Sequence, residues 1–204
     1  MAIRLHFSFL SPFARKVRVF AEETGLAGEL ELVPCDIWAP GCGIREVSPL
    51  GKVPVLETPD GPIVGSRLCC EYLDTLHRGA RLVPQPEPGK WRPLQLEALA
   101  DGIMEAAVAH VTERLRRPAQ FVYTGWLERQ VVKIRDTLDN IADVFGAPDS
   151  RIDLSSITLA CALSYLDIRL PELAWRENHR VLADWHRDFD ARPSMTATRP
   201  PGDA

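Results

Sequence analysis

The chain has 204 residues, 46% hydrophobic and 25% charged, with a formal net charge of -4. That is enough apolar material for a buried core, and it excludes wholesale disorder. Residues 1–80 carry 8 basic and 10 acidic side chains and the remainder 16 and 18, so neither half has the basic footprint of a nucleic-acid binder.

No apolar run approaches the roughly 18 residues needed to cross a bilayer. The opening MAIRLHFSFL alternates instead of forming the apolar stretch of a signal peptide, so a cytoplasmic chain without a membrane partner is expected. The five cysteines (Cys35, Cys42, Cys69, Cys70 and Cys161) are odd in number and fit no zinc spacing, which predicts free thiols and no metal. The 17 prolines are uneven: eleven lie in residues 1–93, and only Pro118 and Pro148 fall between Leu94 and Leu170. Proline is rejected from helix interiors, so short elements and turns should come first and long helices second.

Ile3, Leu5 and Phe7 alternate with polar residues, which predicts a strand. Ser11-Pro12 then offers an N-cap and a first helical residue, and Phe13, Val17, Phe20 and Ala21 follow at helical spacing up to Gly25. Leu30–Val33 predicts a second strand. Residues 35–50 hold Pro40, Gly41, Gly43 and Pro49 and suggest a loop with one short helix. Val53–Leu56 and Pro62–Val64 form a hairpin around Asp60-Gly61, and Ser66 caps a helix to about Leu76. The order β-α-β-(α)-β-β-α on about 80 residues suggests a thioredoxin-like domain.

Residues 79–93 contain Gly79, Pro84, Pro86, Pro88, Gly89 and Pro93 and read as a linker. Helical runs follow: one from Leu94 to Val111, one from Trp126 to Phe145, and one over Asp153–Ile168 that is apolar all round, as befits the middle of a bundle. Asp153 and Ser156 can cap that last run reciprocally. A final helix is predicted over Glu177–Phe189, followed by a loose tail, Arg192–Ala204. The expected domains are 1–79, a linker 80–92, and an all-helical domain 93–204.

Four local features can carry chemistry, and each has a plainer reading. Ser11 at the helix start can donate a hydrogen bond to an anion such as a thiolate, or simply cap. A proline opening the strand at Val53-Pro54 frees the backbone before it for an extended peptide ligand, or marks an edge strand, with Lys52 as a carboxylate partner or a solvated lysine. Gly65-Ser66 can hold a carboxylate at a helix N-terminus, or cap. Asp101 and Glu105, with Gly102 between them, form either a functional or a merely solvated acidic face. The five histidines show no metal spacing.

Ser-Pro-Phe-Ala-Arg-Lys (11–16), Gly-Lys-Val-Pro-Val-Leu (51–56), Gly65-Ser66, the Leu-Ala-Asp-Gly-Ile-Met segment (99–104) and the capped apolar helix occur in the order found in the cytosolic glutathione transferase superfamily. Over essentially its whole length the chain resembles the bacterial members with an S-P-F-x-R-K start, and that start is similar to the plant tau class. The resemblance implies a thioredoxin-like α/β domain that binds glutathione, an all-α domain that supplies the second-substrate pocket, and a detoxifying, homodimeric enzyme acting on small electrophiles. Ser11 then stabilises the glutathione thiolate. Val53, before a cis Pro54, pairs its backbone with the cysteinyl part, and Lys52 approaches the glycyl carboxylate. Ser66 holds the γ-glutamyl carboxylate, and Phe13 lies beside the tripeptide. Met104, His110 and Trp126 are the candidates for the second-substrate pocket. The superfamily usually carries an acid before Ser66 that anchors the γ-glutamyl amino group. Here that residue is Gly65, and Asp101, contributed across the dimer, is the candidate substitute. Two other readings stay open: a non-catalytic glutathione-transferase-like binding protein, and a glutathione-dependent peroxidase.

Overall fold

The computed structural model describes residues 3–85, 91–146 and 151–201. The chain divides into two compact units, Met1–Val83 together with Arg192–Ala204, and Pro84–Ala191. The linker prolines Pro86 and Pro88 and Gly89 lie outside the described residues, as does Pro148.

In the first unit, strand β1 (Ile3–Phe7) leads through a turn closed by the Ser11 amide on the Ser8 carbonyl at 3.1 Å into helix α1 (Pro12–Glu23). The alternation that predicts β1 needs one adjustment: Leu5, His6 and Phe7 are all buried. His6 is kept in place by Glu57 on the neighbouring strand, and Arg4 also reaches Glu57, at 3.1 Å. Strand β2 (Leu30–Pro34) runs parallel to β1. A loop and one short turn of helix, α2 (Ile44–Val47), lead to the antiparallel pair β3 (Val55–Thr58) and β4 (Gly61–Val64), and then to α3 (Ser66–Asp74). The sheet order is β2-β1-β3-β4, a mixed four-stranded thioredoxin-like sheet. Strand β3 starts one residue after Pro54, as expected of a residue that cannot donate to a ladder.

The tail departs from expectation. Arg192–Ala204, predicted to be loose and part of the second domain, belongs to the first unit, and Pro193–Ala197 forms a helix, α9. Pro193 occupies the first turn, where proline is favoured. Met195 is wholly buried, Arg15 donates to its carbonyl at 3.1 Å, and Arg192 grips Glu23 of α1 through two hydrogen bonds of 2.8 and 2.9 Å. The Ser194 hydroxyl adds a third bond to the same carboxylate at 2.5 Å. Burial opposes ionisation of Glu23, but the bonds from Arg192 and Ser194 outweigh it and hold the carboxyl below its usual range.

The second unit is built on α4 (Trp91–Arg116), which packs against α5 (Thr124–Asn140) and α6 (Leu154–Arg169). Residues Leu154 to Leu166 of α6 are all buried, as its unbroken apolar sequence predicts. Its N-terminus is capped reciprocally: the Ser156 amide donates to Asp153 Oδ1 at 3.1 Å, and the Asp153 amide donates to Ser156 Oγ at 3.0 Å. The single helix expected over Glu177–Phe189 is two, α7 (Trp175–Asn178) and α8 (Arg180–Asp190), broken at His179. His179 turns its ring to Asp139 of α5 at 2.8 Å and to the Trp175 carbonyl at 3.0 Å.

His186 ties α6, α7 and α8 together. It is 1% exposed. Arg176 Nη2 lies 2.8 Å from its Nδ1, and an arginine can only donate, so Nδ1 is the unprotonated nitrogen. Nε2–H then faces Ser164 Oγ at 3.0 Å and the Ala160 carbonyl at 3.2 Å. Arg176 is itself held by Asp167 at 2.6 and 3.0 Å. Burial, and then Arg176, push the His186 pKa down, against the opposing pull of Asp167 and Asp190. In the unfolded chain the imidazole keeps its ordinary value, so on acidification the unfolded state takes up the proton first. Stability contributed by neutral His186 is therefore complete above about pH 6.5 and is lost as pH falls below it. Thermal melts between pH 8 and pH 5 should show the decline, and it should be shallower in His186→Gln.

Candidate active site

The register of the sheet brings three of the sequence features to one end of the first unit. His6 of β1 pairs with Val55 of β3, which pairs with Val64 of β4. The C-terminal end of β1, the N-terminal end of β3 and the C-terminal end of β4 are thus side by side. From that end the chain passes to Ser11 and α1, arrives from Val53-Pro54, and leaves through Gly65 into α3. Segments more than 50 residues apart in sequence meet because β3 runs antiparallel to both of its neighbours.

Ser11 is the N-cap of α1, in extended backbone (φ -83, ψ 117). The Ala14 amide donates to its Oγ at 3.2 Å. That bond uses a lone pair of the oxygen and leaves the hydroxyl proton available to another acceptor. The capping and donor readings of Ser11 are therefore compatible. Pro12 at the first helical position has no N–H to satisfy, and Phe13 is half-buried. The first turn of α1 holds no acid, so the positive end of its dipole has no side-chain counter-charge.

The Val53–Pro54 peptide bond is cis. Pro54 is buried, Val53 is half-buried, and Lys52 is exposed. Gly65 is the N-cap residue of α3, with φ +91 and ψ 133. An L side chain rarely adopts that backbone, and glycine adopts it without strain. The first intrahelical bond runs from the Cys69 amide to the Gly65 carbonyl at 3.0 Å, so the amides ahead of Cys69 have no intrahelical acceptor. Ser66 is 8% exposed at this N-terminus, which also has no acid in its first turn. Arg67 pairs with Glu71 one turn along α3 at 2.8 Å, which offsets part of its charge.

The other predicted residues belong to the second unit. Asp101 lies on α4 and is half-buried. Gly102 beside it is exposed, and a Cβ there would meet open space, so this glycine marks no close packing. Met104, a second-substrate candidate, is wholly buried in the helical unit. Its place follows from the helical spacing that joins it to Ile103, Ala100 and Ala107, all buried on the same helix. His110 is 6% exposed, and its Nδ1 has no hydrogen-bond partner among the described residues. Burial, then Arg114, lower its pKa, against Glu172. Trp126 is 40% exposed, with Lys133 Nζ 5.8 Å from the centre of its ring.

Among the described residues no group of three or more His, Cys, Asp or Glu side chains is placed to hold a metal ion. Among the same residues no helix is long and apolar enough to cross a membrane. All five cysteines are free thiols.

A mixed four-stranded thioredoxin-like sheet followed by a helical unit is the architecture of the glutathione transferases, and comparison with known proteins agrees. Residues 10–76 match the glutathione S-transferase N-terminal domain, and residues 124–188 match the glutathione S-transferase C-terminal domain. The chain is 32% identical over 204 residues to an uncharacterized GST-like protein, YibF, of Escherichia coli (strain K12), covering 98% of this chain and 99% of that one. It is similar to the crystal structure of a glutathione transferase family member from Pseudomonas fluorescens Pf-5 with bound glutathione, at 39% identity and a TM-score of 0.92, covering 98% of this chain and 99% of that chain. A glutathione S-transferase from Methylobacillus flagellatus KT with glutathione bound is 34% identical, with a TM-score of 0.89, covering 98% and 100%. The chain belongs to the glutathione S-transferase family.

Proposed function

We propose that the protein is a glutathione transferase that binds glutathione at the end of the sheet where Ser11, Val53-Pro54 and Gly65-Ser66 converge, and joins its sulfur to a small electrophile. The observation that carries this reading is the Ser11 hydroxyl, which caps α1 through its oxygen and keeps its proton for another acceptor. The glutathione-bound relatives support the choice of ligand. A free thiol ionises near pH 8.5, and each unit by which its pKa is lowered corresponds to about 1.4 kcal/mol. The N-terminus of α1 and the Ser11 O–H favour the thiolate over the thiol. Ser11 is a donor here and not a base, and its bond strengthens as charge gathers on sulfur.

The helix-start amides and the hydroxyl at Ser66 suit the γ-glutamyl carboxylate, the Val53 backbone suits the cysteinyl part, and Lys52 suits the glycyl carboxylate. Phe13 contributes apolar contact beside the tripeptide. Gly65 supplies the backbone conformation but no acid for the γ-glutamyl amine, and Asp101 across a homodimer takes that role. His110 and Trp126 are the second-substrate candidates that keep either an unsatisfied polar atom or an exposed ring. A cytoplasmic setting, consistent with five free thiols, completes the reading.

The test is conjugation of a chloronitroaromatic by purified protein, followed spectroscopically at saturating glutathione, with turnover above the uncatalysed rate as the expected result. The missing acid at position 65 favours a second reading, a glutathione-transferase-like protein that binds without catalysis. Binding without conjugation or peroxide reduction would select it.

A further inference from the structure

Cys35 and Cys42 bracket the loop after β2. The Cys35 amide is fixed to the Phe7 carbonyl at 2.7 Å, directly beyond the strand. Cys42 follows a turn in which its amide donates to the Ala39 carbonyl at 3.3 Å, and it stands between Gly41 and Gly43, both at positive φ (+78 and +71). Six residues, 36–41, separate the two cysteines in sequence, yet both side chains reach the same apolar cluster. Cys35, Ile44 and Val55 form an apolar cluster, and Cys42 packs against it together with Val53 and Val64. Both thiols thus belong to one apolar cluster, with Cys35 inside it and Cys42 packed on it. They differ in access: Cys35 is 8% exposed, whereas Cys42 is only half-buried. Glutathione conjugation at Ser11 uses neither of them.

We propose that Cys35 and Cys42 are a redox-modifiable pair that closes to an intramolecular disulfide by exchange with a low-molecular-weight disulfide such as glutathione disulfide. In the first step the Cys42 thiolate, the accessible one, attacks a sulfur of the oxidant. A Cys42–glutathione mixed disulfide forms, and one glutathione thiolate leaves. In the second step Cys35 Sγ, as thiolate, attacks Cys42 Sγ. The Cys35–Cys42 bond forms, and the second glutathione thiolate leaves. The protein gives up two electrons and two protons, and the oxidant is reduced to two molecules of glutathione. Burial, reinforced by the Cys42 thiol and by Asp36, raises the Cys35 thiol to about 11, which makes the second step the slower one. The glycines on either side of Cys42 let the backbone adjust as the sulfurs come to bonding distance. The pair is separate from conjugation, so the proposal stands or falls independently of the transferase reading.

One tryptic peptide, Val19–Arg45, contains both cysteines and no other. The folded full-length chain is incubated with glutathione disulfide, denatured in iodoacetamide, and digested without reductant. The expected product is this peptide with neither cysteine alkylated, lighter than its reduced form by two hydrogens, with two glutathione molecules released per chain. Cys35→Ser should trap glutathione on Cys42, and Cys42→Ser should leave Cys35 reduced. The proposal is overturned if the wild-type peptide recovers both alkylated thiols, or keeps a glutathionyl group without ever closing. The wild-type measurement decides this even if a variant folds poorly.

Discussion

Ser11→Ala should lower kcat/KM for chloronitroaromatic conjugation by about 10²-fold, the usual loss when one preorganised donor to a developing anion is removed. The variant loses two things at once. The thiolate loses its hydroxyl donor, and the Ala14 amide loses the acceptor that it now meets at 3.2 Å. The second loss costs about 1 kcal/mol of helix capping. The two effects separate by measurement. A melting curve reads the cap, and the pH dependence of conjugation reads the thiol, whose apparent pKa should move up toward that of free glutathione. Ser11→Thr keeps both the cap and the hydroxyl and should recover most of the rate. An alanine variant with wild-type turnover would show that Ser11 is only a cap.

Asp153→Ala should destabilise the protein by about 2 kcal/mol, lowering Tm by roughly 4–8 °C in a chain of this size. Asp153 is not a peripheral cap. Its Oδ1 accepts from the Ser156 amide at 3.1 Å and from the Ser155 hydroxyl at 2.6 Å, and both serines are buried. Truncation leaves two donors without an acceptor at the start of the most deeply buried helix of its unit. Asp153→Ser, which can still accept from the Ser156 amide, should lose less than half as much. Calorimetric or optical melting of the three proteins checks the order, and conjugation should be unchanged at temperatures where each is folded.

Where local chemistry decides structure, the sequence is readable. Alternation followed by Ser11-Pro12 predicts β1, a turn and α1. The unbroken apolar run behind Asp153 predicts a buried capped helix. Both rest on contacts within four residues. The tail is different. Arg192–Ala204 is polar and proline-rich, and nothing near it in sequence shows that Arg192 will pair with Glu23, 169 residues away. The histidines teach the same lesson. His186 looks scattered in the chain, and its environment comes from Ser164, Arg176 and Ala160 on two other helices. At the candidate site the residue types were legible, but their convergence depends on the pairing of β3 with both β1 and β4. Cys35 and Cys42 fit no spacing rule, since only the folded loop brings both to one apolar cluster.

We propose that this corner of the first unit binds glutathione even with glycine where a carboxylate is usual. Isothermal titration calorimetry of the wild-type protein with reduced glutathione tests it most directly. Saturable binding at one site per chain is expected, weakened in Ser66→Ala and in Asp101→Asn. No measurable heat of binding at millimolar glutathione, in protein shown to be folded, would contradict it.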